Sequence, residues 1–367
     1  MKIRAVTAIP FVLPYLHPFH MASGTVTEAA HVLISIETDD GLVGVAEAMS
    51  RSMIYGESQA SIVEAVRAWF APALVGLDPF ATESAQRVLR AVVANETAKG
   101  AIDIALHDLR GKAVGQPTWR LLGAAAPSLR VTRMLGMGEP AEVVASAVEA
   151  NQTYGIDSFK VKIDADMSAA LVLLEALRGQ FGPDALLYAD ANQSLSAEAA
   201  VAGLGRLAEL GVELLEEPVP ATDFVGRARI AAAGGIAIMA DESARTVEKA
   251  ALQLTAGSAR ALSIKPAGSG FTEAARIVGL ARGLHSRTLI GSQGDSAIGT
   301  ITSTTFGAAF ESTAGEPAEL DYYLGLKDQI VTTAPVISGG RISVDPSIPG
   351  NGVVIDDDKL AHYRADV

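Results

Sequence analysis

Hydrophobic and polar positions along the chain fall into two regimes. Over the first 50 residues the pattern is β. Residues 2–13 alternate loosely and His31 to Thr38 is rich in β-branched residues. Asp39-Asp40-Gly41 signals a turn, and Leu42 to Ala48 returns as a further strand. Glu57 to Phe70 then reads as a helix, with Ile62, Val63, Val66 and Phe70 at helical spacing. Asp78-Pro79 breaks the chain, and a helical pattern dominates from Ala81 to Val114.

From Leu129 the pattern changes. Short apolar runs alternate with Ala-rich helical stretches: Leu129–Leu135, Ser158–Ile163, Leu186–Ala189, Glu213–Leu215, Ile236–Ala240, Ala261–Ile264 and Thr288–Gly291. The runs do not alternate, as expected of parallel strands covered by helices on one face and packed on the other. Seven such βα units predict a TIM-type barrel. A doubly wound open sheet is the alternative, but no GxGxxG or GxxxxGK[ST] loop follows any run. After Asp321 the pattern weakens, and Arg341–Val344 and Val353–Ile355 read as short strands that return to the N-terminal region.

Composition narrows the class. The 367 residues are 49% hydrophobic, enough for a large core, and the net charge of −13 argues against nucleic acid as a partner. With no cysteine, disulfides, zinc–thiolate sites, iron–sulfur clusters and a Cys nucleophile are all excluded. No apolar run reaches the roughly 18 residues of a membrane span. The opening MKIRAVTAIPFVLP reads as a strand rather than a leader, so a cytoplasmic protein is expected.

In a barrel the active site lies at the C-terminal ends of the strands, and there the apolar runs close on charge. Lys160 and Lys162 lie in SFKVKI. Asp190 closes LLYAD, with Asn192 beyond it. Glu216 closes ELLE, Asp241 closes IAIMAD and Lys265 closes ALSIK. From Asp190 the spacings are 26, 25 and 24 residues, one charged group per unit. A single acidic residue of this kind is ordinarily a helix cap or a loop charge. Three in register would repel one another unless a cation lay between them, and all-oxygen ligation suits Mg²⁺ or Mn²⁺. Lys160 and Lys162, two apart on a strand, project to one face about 6.5–7 Å from each other. Burial and like charge are expected to lower a lysine pKa and make it a usable acid or base. Lys265 lies across the barrel, so proton transfer on either side of a metal-held substrate is expected.

The chain resembles the enolase superfamily, in particular its muconate-lactonizing-enzyme subgroup. One stretch carrying the resemblance is A-x-G-A-I-D-x-A-L-x-D-L-x-G-K from Ala98 to Lys112, continuing to Pro117 and Leu121-Leu122-Gly123, with Thr118 where the family usually has an aliphatic residue. The other runs from Leu187 through Asp190-x-Asn192 to Leu215-Glu216-Glu217-Pro218, flanked by K-x-K, D-E and Lys265. The resemblance implies a (β/α)7β barrel over residues 126–320. It also implies an α+β capping domain built from residues 1–125 and joined by the tail 321–367. Asp190, Glu216 and Asp241 would ligate Mg²⁺ or Mn²⁺, Lys162 and Lys265 would be the acid/base pair, and Lys160 would assist Lys162 or the substrate carboxylate. The shared chemistry is an enolate formed next to a carboxylate. The His–Asp pair of the mandelate-racemase subgroup is absent, since strand six ends in Lys265 and strand seven in Gly-Ser-Gln-Gly-Asp. Oligomers are common in such families, and a homo-oligomer is expected.

Specificity is expected from two loops of the capping region and from the last strands. His20, Arg51 and Tyr55 could meet an anion, while Met53 and Ile54 could shield the site from water. Arg133 would point inward to a second substrate carboxylate. Gln293 offers a neutral amide and Asp295 an acidic group. His107, His285 and His362 read as structural. Dipeptide epimerases of the subgroup usually carry Asp-x-Asp at strand eight, where this chain has Asp321-Tyr322-Tyr323. A small carboxylate substrate is expected, with cycloisomerisation of cis,cis-muconate to muconolactone as the leading reaction. Racemisation or epimerisation of N-acyl amino acids, dipeptides or cyclic amino acids is the alternative, as is o-succinylbenzoate synthesis.

Overall fold

The structure, a computed structural model, describes residues 1–21 and 24–366, with side chains at all of these except 18–21 and 24–25. Three antiparallel strands open the chain: β1 (Ile3–Met21), β2 (Gly24–Thr38) and β3 (Val43–Met49). Ile34, Ile36, Ala46 and Ala48 pack beneath Ile62, Val66 and Phe70 and beneath the helix Glu96–Ala113. The helical pattern that dominates from Ala81 to Val114 is two helices, Thr82–Arg90 and Glu96–Ala113. Between them Ala94 and Asn95 take left-handed backbone angles, φ 57° and 61°, which no helix accommodates.

The second regime forms a parallel sheet of seven strands. They are β5 (Thr132–Leu135), β6 (Ser158–Lys162), β7 (Leu186–Asp190), β8 (Val212–Glu216), β9 (Ala237–Ala240), β10 (Ala261–Ile264) and β11 (Arg287–Ile290), in sequential order. The sheet closes through Ala318, which makes parallel bridges to both Val131 and Ile290. It donates its N–H to the Arg130 carbonyl and accepts that of Thr132, each at 2.8 Å. The eighth strand of the barrel is thus reduced to its minimum.

The run Leu129–Leu135 is split. Its first half, β4 (Ser128–Arg130), pairs antiparallel with β13 (Arg341–Ser343), which also pairs with β12 (Ile337–Ser338). The tail strand therefore returns to the foot of the barrel and not to the N-terminal sheet. Val353 does reach that sheet, packing in a second core with Phe11, Leu13 and Leu33, while Ile355 makes one bridge to Val331. Among the described residues no helix is long and apolar enough to cross a membrane.

Candidate active site

Period-2 geometry explains why charge gathers at one end of the barrel. Leu186, Tyr188, Leu214, Met239, Ala261 and Leu289 form an apolar cluster of their own, separate from the core beneath the helices. Counting by twos along each strand, that inward face continues from Tyr188 to Asp190, from Leu214 to Glu216, from Met239 to Asp241 and from Ala261 through Ser263 to Lys265. Lys160 is in register with Tyr188, and Lys162 with Asp190. The opposite faces, Phe159, Val161, Leu187, Ala189 and Leu215, belong to the main core.

Lys160 is buried at the centre. Its Nζ lies 2.7 Å from Glu319 Oε1, 2.8 Å from Glu216 Oε2 and 3.0 Å from Asp190 Oδ2, and 5.8 Å over the Tyr188 ring. Glu319 follows the closing residue Ala318; it also accepts the Tyr188 hydroxyl at 2.9 Å. Lys162 is half-exposed and donates to Asp190 Oδ2 at 2.6 Å and to Asn192 Oδ1. Across the mouth, Lys265 donates to Asp241 Oδ2. Lys160 and Lys265 do not have the lowered pKa expected of buried lysines. Burial does push them down, but the facing carboxylates, Asp190 first for Lys160 and Asp241 first for Lys265, push them well above the usual lysine range. Burial likewise opposes ionisation of Asp190, yet Lys160 and Lys162 hold it below the usual carboxylate range.

Glu216 is the exception. It is fully buried, and neither of its oxygens has a hydrogen-bond partner despite the ammonium of Lys160 nearby. Burial and then Asp190 drive its pKa far up. A buried carboxylate with open lone pairs, between two others on neighbouring strands, has the donor chemistry of a hard-cation site, and the three residues fit Mg²⁺ or Mn²⁺. As they stand, Asp190 and Asp241 lean toward lysines, and among the described residues no three acidic or imidazole groups are already drawn into a tight cluster.

Two buried residues that the sequence reading left without a role support this set. Glu217 accepts the Asp241 N–H at 2.7 Å, the Ser243 N–H at 3.3 Å and the Ser243 hydroxyl at 3.0 Å. Its other oxygen accepts from Arg227, which is also fully buried. The pair ties the end of β8 to the end of β9. Glu242, with its Oε1 3.3 Å from Asn192 Nδ2, is pushed up to about 7, by burial first and then by Asp241.

The specificity positions divide. Arg51 donates to the Tyr322 hydroxyl at 2.8 Å and lies 5.6 Å over its ring. Tyr15 and Tyr322 share a hydrogen bond. Tyr55 packs under Arg245, 4.6 Å from the guanidinium to the ring, and Lys265 and Asp241 are the charges that act most on its hydroxyl. Arg51 and Tyr55 thus face the mouth. Met53 and Ile54, on the single turn Ser52–Tyr55, are exposed, at 84% and 44%.

Arg133 does not point inward. It is in register with the core residue Phe159, whereas its neighbour Met134 pairs with Lys160. Its guanidinium reaches Asp321 Oδ2 at 3.0 Å and the Ser146 hydroxyl on the first barrel helix at 3.4 Å. Gln293 and Asp295 are buried in the loop after β11, each with one oxygen lacking a partner, and burial pushes Asp295 up to about 6. That loop is wedged under the cap. Gly294 has φ +99°, and a methyl there would lie 2.6 Å from Met49 Cε and 2.8 Å from Arg51 Nη2. The side chain of His20 lies outside the described ones. Of the histidines read as structural, His107 is seated 3.2 Å from the Thr272 hydroxyl.

Comparison with known proteins agrees with the fold. Residues 4–123 match the family model for the mandelate racemase/muconate lactonizing enzyme N-terminal domain, and residues 142–359 match the enolase C-terminal domain-like family. The chain is 41% identical to a muconate lactonizing enzyme from Mucobacterium Smegmatis whose crystal structure is complexed with muconolactone, with a TM-score of 0.95 and full coverage of both chains. It is 30% identical to a chloromuconate cycloisomerase from Pseudomonas sp. (strain P51), over 99% of each chain. It is 29% identical to a dipeptide epimerase from Enterococcus faecalis V583 solved with Mg and the dipeptide L-Leu-L-Tyr, with a TM-score of 0.90 over 96% of this chain and 100% of that one.

Proposed function

The chain belongs to the mandelate racemase/muconate lactonizing enzyme family of the enolase superfamily, and from that premise we propose that it is a muconate cycloisomerase converting cis,cis-muconate to muconolactone. The observation that carries the reading over an epimerase is the electrostatics of strand eight. Asp321 gives one oxygen to Arg133, and the position two residues on, where a second carboxylate would stand, is Tyr323, whose hydroxyl donates to the Pro335 carbonyl at 2.7 Å. A dipeptide's ammonium finds there only the single carboxylate of Asp321, already paired with Arg133, and not a pair. A second carboxylate, by contrast, finds Arg51, held by Tyr322 and Tyr15 at the mouth. The similarity to the muconolactone complex points the same way.

Asp190, Glu216 and Asp241 would hold Mg²⁺ or Mn²⁺, which supplies positive charge for the negative charge developing on a substrate carboxylate. Arg51 and Tyr55 orient the other carboxylate. One of its oxygens adds to the diene carbon β to the first carboxylate and closes a five-membered lactone; the π bond between the β and α carbons breaks, and the α carbon, next to the first carboxylate, takes up a proton. Lys162 or Lys265 gives that proton from Nζ and regains one from solvent. Lys160, fixed by Glu319, Glu216 and Asp190, remains charged and offsets the negative potential of the mouth. Gln293 and Asp295 shape the seventh-strand side and Asn192 orients Lys162. The two lysines could equally serve an epimerase, in which both act.

Paired assays separate the readings. With Mg²⁺ present, loss of the muconate diene absorbance without exchange of α-protons in L-Ala-L-Glu or N-succinyl amino acids is expected. Exchange of those α-protons with an inert diene would replace cycloisomerisation by the epimerase reading.

A further inference from the structure

Lys265 is not held by its strand alone. It is followed by the single turn Pro266–Ser269 and Gly270, and then by the helix Phe271–Gly283. The N–H groups of Gly268 and Ser269 donate to the Lys265 carbonyl at 2.9 and 3.0 Å, and the Ser269 hydroxyl donates to it at 3.2 Å. The lysine backbone therefore moves with this turn. The Lys265 stem lies over Gly291, where a methyl would sit 3.2 Å from its Cε.

The turn is clamped from the cap. At Gly100, in the helix Glu96–Ala113, a methyl would lie 2.3 Å from the Gly268 carbonyl oxygen, so only glycine permits this approach. The helix Phe271–Gly283 begins at Gly270, which has no side chain to cap it. Asp103, one helical turn beyond Gly100, supplies the cap from the other region of the molecule. Its Oδ2 accepts the Thr272 N–H at 2.8 Å, and its Oδ1 accepts the Thr272 hydroxyl at 2.7 Å and Gln86 Nε2 at 2.6 Å. All but Thr272 of this trio is buried, and a carboxylate at a helix N-terminus is favoured by both charge and hydrogen bonding.

We propose that Asp103 is a positioning residue for Lys265: capping the helix after the turn from the cap side fixes where the ammonium stands over the barrel mouth. The inference rests on the reading that Lys265 works at the mouth, and it does not depend on which carboxylic acid is the substrate.

The test uses full-length protein carrying ε-¹³C-lysine, with the Lys265 resonance identified by its absence in Lys265→Arg. In Asp103→Asn the Lys265 resonance should shift or broaden while those of Lys160 and Lys162 stay in place. With cis,cis-muconate and Mg²⁺, kcat should fall by about tenfold or more with KM little changed, as misplacement of a reacting group predicts. Thr272→Val keeps the N–H and loses only the hydroxyl; it should show the same shift in weaker form, and it carries the test if Asp103→Asn does not fold. Asp356→Ala removes an equivalent N-cap, which accepts the Lys359 N–H at 3.1 Å in the terminal helix Asp357–Tyr363, and should move neither readout. An unmoved Lys265 resonance in the folded variants, or an equal effect of Asp356→Ala, would overturn the proposal. Absence of any muconate turnover would count against the substrate alone, since the resonance still reports the position of Lys265.

Discussion

The barrel mouth and the seam between cap and barrel both bury charge, and they neutralise it by different means. At the mouth ammonium groups face carboxylates contributed by neighbouring strands, and Glu216 still has two oxygens without hydrogen bonds. At the seam the carboxylates are answered mainly by backbone N–H groups and hydroxyls, with the Lys112 ammonium also 2.7 Å from Asp108. Asp103 takes Thr272, Asp108 takes the N–H groups of Val45 and Asn351 at 2.8 and 2.7 Å, and Glu47 takes the N–H of Ser296 at 2.9 Å together with its hydroxyl. Spare lone pairs in a buried site cost stability and leave room for a ligand. Saturated ones confer rigidity. The comparison assigns chemistry to the mouth and placement to the seam.

The sharpest way to break this contrast is to remove mouth groups. Of Lys162→Ala and Lys265→Ala, the variant lacking the proton donor should lose about 100- to 10,000-fold in kcat, with the other less affected; steady-state kinetics on cis,cis-muconate check this, and full activity in both would refute it. Glu216→Gln should weaken Mn²⁺ binding by about 100-fold or more, followed by titration of the free-ion paramagnetic signal. Arg227→Met leaves Glu217 buried without its partner and should cost about 3–5 kcal/mol in urea unfolding.

Two buried groups near the seam give a signed pH dependence. Burial pushes Glu47 up to about 8 and His31, also within the cap sheet, down to about 3. Native Glu47 keeps a proton that the unfolded chain has lost, so its contribution to stability is present at low pH and is lost as pH rises toward about 8. Native His31 refuses a proton that the unfolded chain takes up below its ordinary range, so stability falls as pH drops from there toward about 3. Glu47→Gln should therefore flatten the decline between about pH 4.5 and 8, by up to about 1.4 kcal/mol per pH unit, and leave the effect of His31 in place. Least of all, Met53→Ser, on the exposed side of the cap loop, should change stability by less than about 0.5 kcal/mol.

The two regions also differ in how far they could be read in advance. Charges at the mouth recur once per βα unit, so Asp190, Glu216, Asp241 and Lys265 stand out from the spacing alone, and K-x-K follows from the period of a strand. Glu319 escaped that pattern because the eighth strand is reduced to Ala318 and gives no apolar run. Arg133 was misplaced because the run 129–135 divides between two sheets, which shifts the phase by which inward and outward are counted. Burial and like charge predict a lowered lysine pKa, but at Lys160 and Lys265 the carboxylates opposite outweigh burial. At the seam, Asp103 and Gly100 sit in a motif visible in the sequence, but their partners Thr272 and Gly268 are about 170 residues away, and nothing in local periodicity joins them.

The central claim is best tested by a proton NMR time course in D₂O, with metal-stripped protein restored with Mg²⁺ and given cis,cis-muconate. Growth of muconolactone carrying a single deuterium next to its free carboxylate is the predicted result, and the label's orientation to the ring oxygen identifies the donor as Lys162 or Lys265. An unchanged diene spectrum, from protein shown to bind the metal, would contradict it.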